Sequence, residues 1–167
     1  GADLQSLMNE GAIFAARENR VTVTQDDLLS AVEKVMIGPE RKSHLHTPNE
    51  RKLAAYHEAG HAILTSVLPH ADFVQKVTII PRGASGGYTL FTPIDERNIM
   101  TSKEYLDNIT VALGGYAIEK IIYGDVTTGP SNDLQVATRT ARDMVTKWGM
   151  SDLLGPVAYA KSEGMIP

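Results

Sequence analysis

The chain contains no cysteine, which removes disulfide frameworks, thiolate metal sites and cysteine nucleophiles at one stroke. Any metal has to be held by nitrogen and oxygen. Clustered positive charge is missing too: a formal net charge of -4 and a pI near 5.7, with lysines and arginines scattered, leave no patch for nucleic acid or an anionic membrane surface. The apolar runs fall short of the ~20 residues that a membrane-spanning helix needs, and the opening GADLQSLMNE lacks a signal-peptide layout. Internal repeats and low-complexity tracts are absent. What is there is a 167-residue chain with 43% hydrophobic residues, enough for one full domain or a compact domain plus part of another. Its start on Gly1 and its stop at EGMIP read as a piece excised from a longer protein.

Leu4, Leu7, Met8, Ala12, Ala15 and Ala16 recur at helical spacing through residues 3–19. VTVTQDDLL then opens a second helix, with Thr24 as N-cap and Asp26 and Asp27 in the first turn. Leu28, Leu29, Val32, Val35 and Met36 line it until Gly38 and Pro39 stop it. The charged stretch GPERKSHLHTPNE reads as a linker and sets a domain boundary near residue 43, with a helical pair over 1–42 and a second domain over 43–167.

In the second domain Thr47, Pro48 and Glu50 make a capping-box start for a helix reaching about Leu68, where Pro69 ends it. FVQKVTII and YTLFT, separated by the glycine-rich PRGASGG, read as a hairpin or neighbouring sheet strands. Thr101 to Glu104 is a second capping box, predicting one helix to about Tyr123 with Gly124 as its stop. Ser131 is expected to cap a further helix, with Leu134, Ala137, Ala141, Met144, Val145 and Trp148 on one side and its end at Gly149. The expected fold class is mainly α with a small β-sheet or hairpin.

The chemistry concentrates in LAAYHEAGHAIL, residues 53–64. Helical residues four apart lie about 6 Å along the axis and ~40° around it, so His57 and His61 project from one face and can share one ion. Zinc takes neutral imidazole nitrogen at ~2.0–2.1 Å and, in a hydrolytic site, needs a third protein ligand plus one open position for water, whose pKa falls to ~7. Glu58, beside the first histidine, is then placed to take the proton of that water. The pattern is His-Glu-x-x-His, the zincin-type active-site helix of zinc peptidases. Gly60 is unfavourable inside a helix and marks a place where another backbone or a substrate comes close. Leu53, Ala54, Ile63 and Leu64 are expected to pack the helix into the core.

The third ligand is open on spacing alone. Glycine three and histidine six positions after His61 are not found, because Leu64 and Val67 stand there. A glutamate roughly twenty residues downstream is excluded as well, since VTIIPRGASGGYTLF holds no acid. Asp133, in the first turn of a helix, and Glu119, in GGYAIEK, are the candidates. A deformylase-like variant of the motif would need a cysteine ligand. His44, His46 and His70 are expected to be solvated, Trp148, Phe73 and Phe91 to be buried, and neither Tyr88 nor Tyr123 is singled out as an oxyanion donor.

YHEAGHA, VTIIPRG, GGYTLF, GDVTTGPSNDLQVAT and ARDMVTKWGMSDLLGPV, in that order, resemble the peptidase domain of the FtsH family of membrane-anchored, ATP-dependent zinc proteases. Residues 1–42 resemble the end of the helical lid subdomain of the preceding AAA+ module. The resemblance implies a zincin-type helix within a helical peptidase domain, zinc on His57, His61 and Asp133, and Glu58 as general base. It also implies a parent protein that uses ATP and Mg2+, assembles as a homo-hexamer or a hetero-hexamer of paralogues, and degrades unfolded or damaged polypeptides. A bacterial inner membrane, with this domain in the cytoplasm, comes ahead of mitochondrial and plastid membranes as its location. No nucleic acid and no membrane contact by this stretch itself are expected. No G-x-x-x-x-G-K-[ST] loop occurs, so ATP hydrolysis is not expected of these residues alone. Where relatives often read G-G-R-x-A-E-E this chain has GGYAIEK, with Tyr116 and Lys120 in place of an arginine and a glutamate.

Overall fold

The computed structural model describes residues 1–40, 47–82, 86–92 and 99–159. The expected boundary near residue 43, His44 and His46 therefore lie outside the described residues. The chain divides into two compact units, Gly1–Thr47 with Ile80–Tyr88, and Pro48–Ile79 with Thr89–Pro167.

In the first unit α1 (Ala2–Arg17) pairs with α2 (Gln25–Met36). Asn19 takes a left-handed φ of 57°, so that Asn19 N–H reaches Ala16 O and Arg20 N–H reaches Ala15 O, a Schellman stop for α1. The same turn aims Arg20 at Asp27, which it grips with two parallel bonds of 2.7 and 2.6 Å. Asp27 also closes the capping box with Thr24 that starts α2. Ala15 and Ala31 are buried between the helices, and Gly11 lets Leu28 approach: a Cβ there would stand 2.9 Å from the Leu28 side chain. Arg82, from the 80–88 segment, is buried with ion pairs to Glu33 at 3.1 Å and Glu40 at 2.7 Å.

The second unit holds α3 (Pro48–Val67), β1 (Phe73–Thr78), all of β2 (Tyr88–Thr92) but its first residue, α4 (Ser102–Ala112), α5 (Gly114–Tyr123) and α6 (Ser131–Thr146). The strands form one antiparallel pair, α3 packs on α5, β1 and α4, and α4 packs on α6. This is the expected class, mainly α with a small sheet.

Four expectations need correction. The helix predicted from Thr101 to Tyr123 is two helices, broken at Leu113. The break falls where Gly114 and Gly115 meet α3: a Cβ on Gly60 would stand 2.5 Å from Gly114 O, and one on Gly114 would stand 2.8 Å from Gly60 C. A Cβ on Gly115 would collide with the His57 ring. Gly60 thus admits another backbone.

Ser131 does not cap α6. Pro130 is the N-cap and Ser131 the first helical residue, its N–H turned back to Thr128 O at 3.2 Å and Leu134 N–H taken by Pro130 O at 2.9 Å. Ile63 is 57% exposed, so it does not help pack α3 into the core. Phe73 and Trp148 are exposed as well, Trp148 lying stacked on Tyr105 with ring centres 4.5 Å apart.

Candidate metal centre

The middle of α3 carries His57, Glu58 and His61, and the first turn of α6 carries Asp133. One atom each from His57, His61 and Asp133 gathers within 4.8 Å of the others. His57 Nε2 lies 3.1 Å from His61 Nε2 and 3.1 Å from Asp133 Oδ2, and His61 Nε2 lies 3.5 Å from the same oxygen.

What sits behind each ring fixes its tautomer. His57 Nδ1 donates to Glu119 Oε1 at 2.9 Å and His61 Nδ1 donates to Val111 O at 2.7 Å. Carboxylate and carbonyl oxygens only accept, so both Nδ1 atoms carry hydrogen and both Nε2 lone pairs point into the cluster. Two lone pairs and a carboxylate oxygen at these separations repel unless a proton or a cation lies between them. Ligands ~2.0–2.1 Å from a tetrahedral zinc stand about 3.3 Å apart, close to the spacing found here, so the donor set fits zinc.

Electrostatics tell the same story for the metal-free site. Burial pulls both imidazoles down, yet the hydrogen bonds that Asp133 accepts from each ring, Glu119 from His57 and Val111 O from His61 hold them above the ordinary histidine range. Burial would raise Asp133, but the two imidazoles outweigh it and bring it to about 2.

Glu119 is the better buried of the two candidate carboxylates, 1% exposed, and it stands behind the cluster rather than in it. Its Oε2 receives the Thr127 N–H at 2.9 Å and the Thr127 hydroxyl at 3.0 Å, and Gly129 N–H donates to that hydroxyl at 3.0 Å. One carboxylate therefore orients His57 and pins the turn that leads into Asp133. A carboxylate oriented behind a metal-binding histidine is a common supporting arrangement. Sequence reasoning selected Glu119 as a ligand rival because of its charge; nothing in GGYAIEK marks it as a support.

Glu58 is buried and its Oε2 accepts the Thr89 hydroxyl of β2 at 2.8 Å. Burial lifts it above the usual carboxylate range, while Thr89 and the two imidazoles pull it part of the way back. Thr89 and Thr127 carried no signal in the sequence, since a lone threonine in a strand or a turn has ordinary structural uses. His70 is exposed and away from the cluster, and Tyr123 packs edge-on against Tyr56.

A His-Glu-x-x-His helix met by a carboxylate from a second helix, within a helical domain, defines a metallohydrolase of the zincin class. Residues 44–166 match the profile of Peptidase family M41. The chain belongs to peptidase family M41. It is 53% identical over 166 residues to the "ATP-dependent zinc metalloprotease FtsH" of Veillonella parvula, covering 99% of this chain and 26% of that protein. It is 47% identical over 164 residues to the protein of the same name from Thermotoga maritima, covering 98% of this chain and 27% of that protein. The chain thus spans about a quarter of the length of the curated relatives it matches.

Proposed function

We propose that this chain is the zinc endopeptidase domain of a longer ATP-dependent protease, with His57, His61 and Asp133 as metal ligands and Glu58 as general base. The observation that carries the reading is the convergence of His57 Nε2, His61 Nε2 and Asp133 Oδ2, with both rings oriented from behind. Bound zinc supplies Lewis acidity that polarises a peptide carbonyl and acidifies water. Glu58 takes a proton from the attacking water and passes it to the departing amine, for which a buried carboxylate of raised pKa is suited. Glu119 holds the His57 ring in the tautomer that offers Nε2. β2, whose Thr89 touches Glu58, is placed to receive extended substrate by main-chain pairing.

Residues 1–42 are read as the end of the helical lid of an AAA+ module, and 43–167 as the peptidase domain. The names of the relatives support ATP-dependent action. The parent protein is then a hexamer, homomeric or built of paralogues, that takes unfolded, damaged or short-lived membrane and soluble polypeptides. It is membrane-anchored, in a bacterial inner membrane with this domain in the cytoplasm before a mitochondrial or plastid one. No helix among the described residues is long and apolar enough to cross a membrane. A structural zinc site would close with four protein ligands, whereas three converge here among the described residues.

Glu58→Gln in the full-length protein is expected to keep about one zinc per chain while casein cleavage falls to background. Asp133→Ala should lose both. Undiminished proteolysis by the first variant, or retained zinc and activity in the second, would overturn the assignment.

A further inference from the structure

We propose that Thr89 is a positioning residue for Glu58, its hydroxyl holding one carboxylate oxygen so that the other is presented to the reacting water; this rests on the reading of Glu58 as general base. A glutamate side chain has three rotatable bonds, and one on a helix surface samples several directions. A base that must meet a particular water gains from having them reduced to one. α3 fixes only the Cα of Glu58. The direction of its carboxylate has to come from a neighbour.

Among the described residues Thr89 is the hydrogen-bond donor to that carboxylate, at 2.8 Å on Oε2, and Oε1 receives no protein hydrogen bond. The same hydroxyl lies 3.4 Å from the Glu58 main-chain carbonyl, so Thr89 spans both the backbone and the tip of the residue it steadies. Thr89 is itself well placed to be rigid. It is β-branched, it sits inside β2, and β2 is paired with β1. His57, His61 and Asp133 make their close contacts with one another and with Glu119 and Val111, so the support of Glu58 is separate from the support of the ligand atoms. Removing the Thr89 hydroxyl should therefore touch turnover and leave zinc alone.

The test uses the full-length, zinc-loaded protein, with Thr89→Ser, Thr89→Ala and Thr89→Val, and cleavage of a short unfolded peptide. Serine keeps the hydroxyl; alanine differs from serine by that oxygen, and valine keeps the shape of threonine. We expect Thr89→Ser to stay within about threefold of the parent kcat, and Thr89→Ala and Thr89→Val to fall about 10- to 100-fold, as befits a hydrogen bond to a charged group. KM should move less than about twofold, and zinc affinity by chelator competition should not change. If Thr89→Val fails to fold, the serine and alanine pair carries the comparison. Equal kcat for serine and alanine, a loss borne by KM, or a parallel loss of zinc affinity would each overturn the proposal. Failure of the broader reading shows differently: Glu58→Gln would then cleave as well as the parent protein.

Discussion

At the scale of single residues, the site is governed by which nitrogen of each histidine is held from behind. Glu119 and Val111 take the two Nδ1 hydrogens, so in the proposed zinc site protons and metal would compete for one shared place bounded by two Nε2 atoms and Asp133. In the metal-free protein both imidazoles sit above their ordinary pKa. Their contribution to stability is complete below the unfolded value of about 6.5 and is lost as pH rises through the higher folded values. Zinc needs neutral imidazole, so its own contribution grows over the same interval. Both effects have one sign. The difference in melting temperature between zinc-loaded and chelator-treated protein should widen from pH 6 to pH 8. A constant or shrinking difference across that range would mean that the two rings do not titrate in the metal-free site.

At the scale of elements, the position of the two candidate histidine ligands depends on how closely α3 and α5 approach. Gly60 and Gly114 meet backbone to backbone, and Gly115 leaves room for the His57 ring. Alanine at residue 60 would gain up to about 1 kcal/mol of helix propensity, but its Cβ would stand 2.5 Å from an oxygen that belongs to backbone and cannot swing aside. Overpacking of this kind typically costs about 1–3 kcal/mol. Gly60→Ala should therefore lower the melting temperature and weaken zinc binding together, because His57 and His61 ride on α3 while Glu119 and Val111 belong to the elements it would push away. Calorimetry with chelator competition checks this; a higher melting temperature would refute the close-contact account. The elements themselves were largely legible. The N-cap at Thr24, the capping box at Thr101, the alternating strands and the proline-led start of α3 are local signals, and the structure follows them. The histidine pair and the two carboxylate candidates were legible by spacing and charge. The break at Leu113, the supporting role of Glu119 and the Thr89 contact were not, because each depends on a partner far away in sequence. Exposure of Ile63 and Trp148 escaped for a related reason: a helical period reports that one face is apolar, not which neighbour covers it.

At the scale of the whole molecule, the chain passes between its two units three times, at residues 47–48, 79–80 and 88–89. The middle excursion brings Arg82 to Glu33 and Glu40, where all but a few percent of the arginine is buried. Breaking a buried ion pair by removing one side leaves an uncompensated charge and costs roughly 3–5 kcal/mol. A shortened protein that begins at Pro48 would keep every residue of the candidate site and lose both partners of Arg82. We expect it to be poorly soluble, and to recover melting temperature and yield when Arg82→Met is added; no gain from that substitution would count against the ion pairs as the cause. For recombination the consequence reaches further. A crossover at one junction cannot exchange the helical pair between relatives intact, since residues 80–88 have to travel with it, so a productive chimera needs three joints and not one.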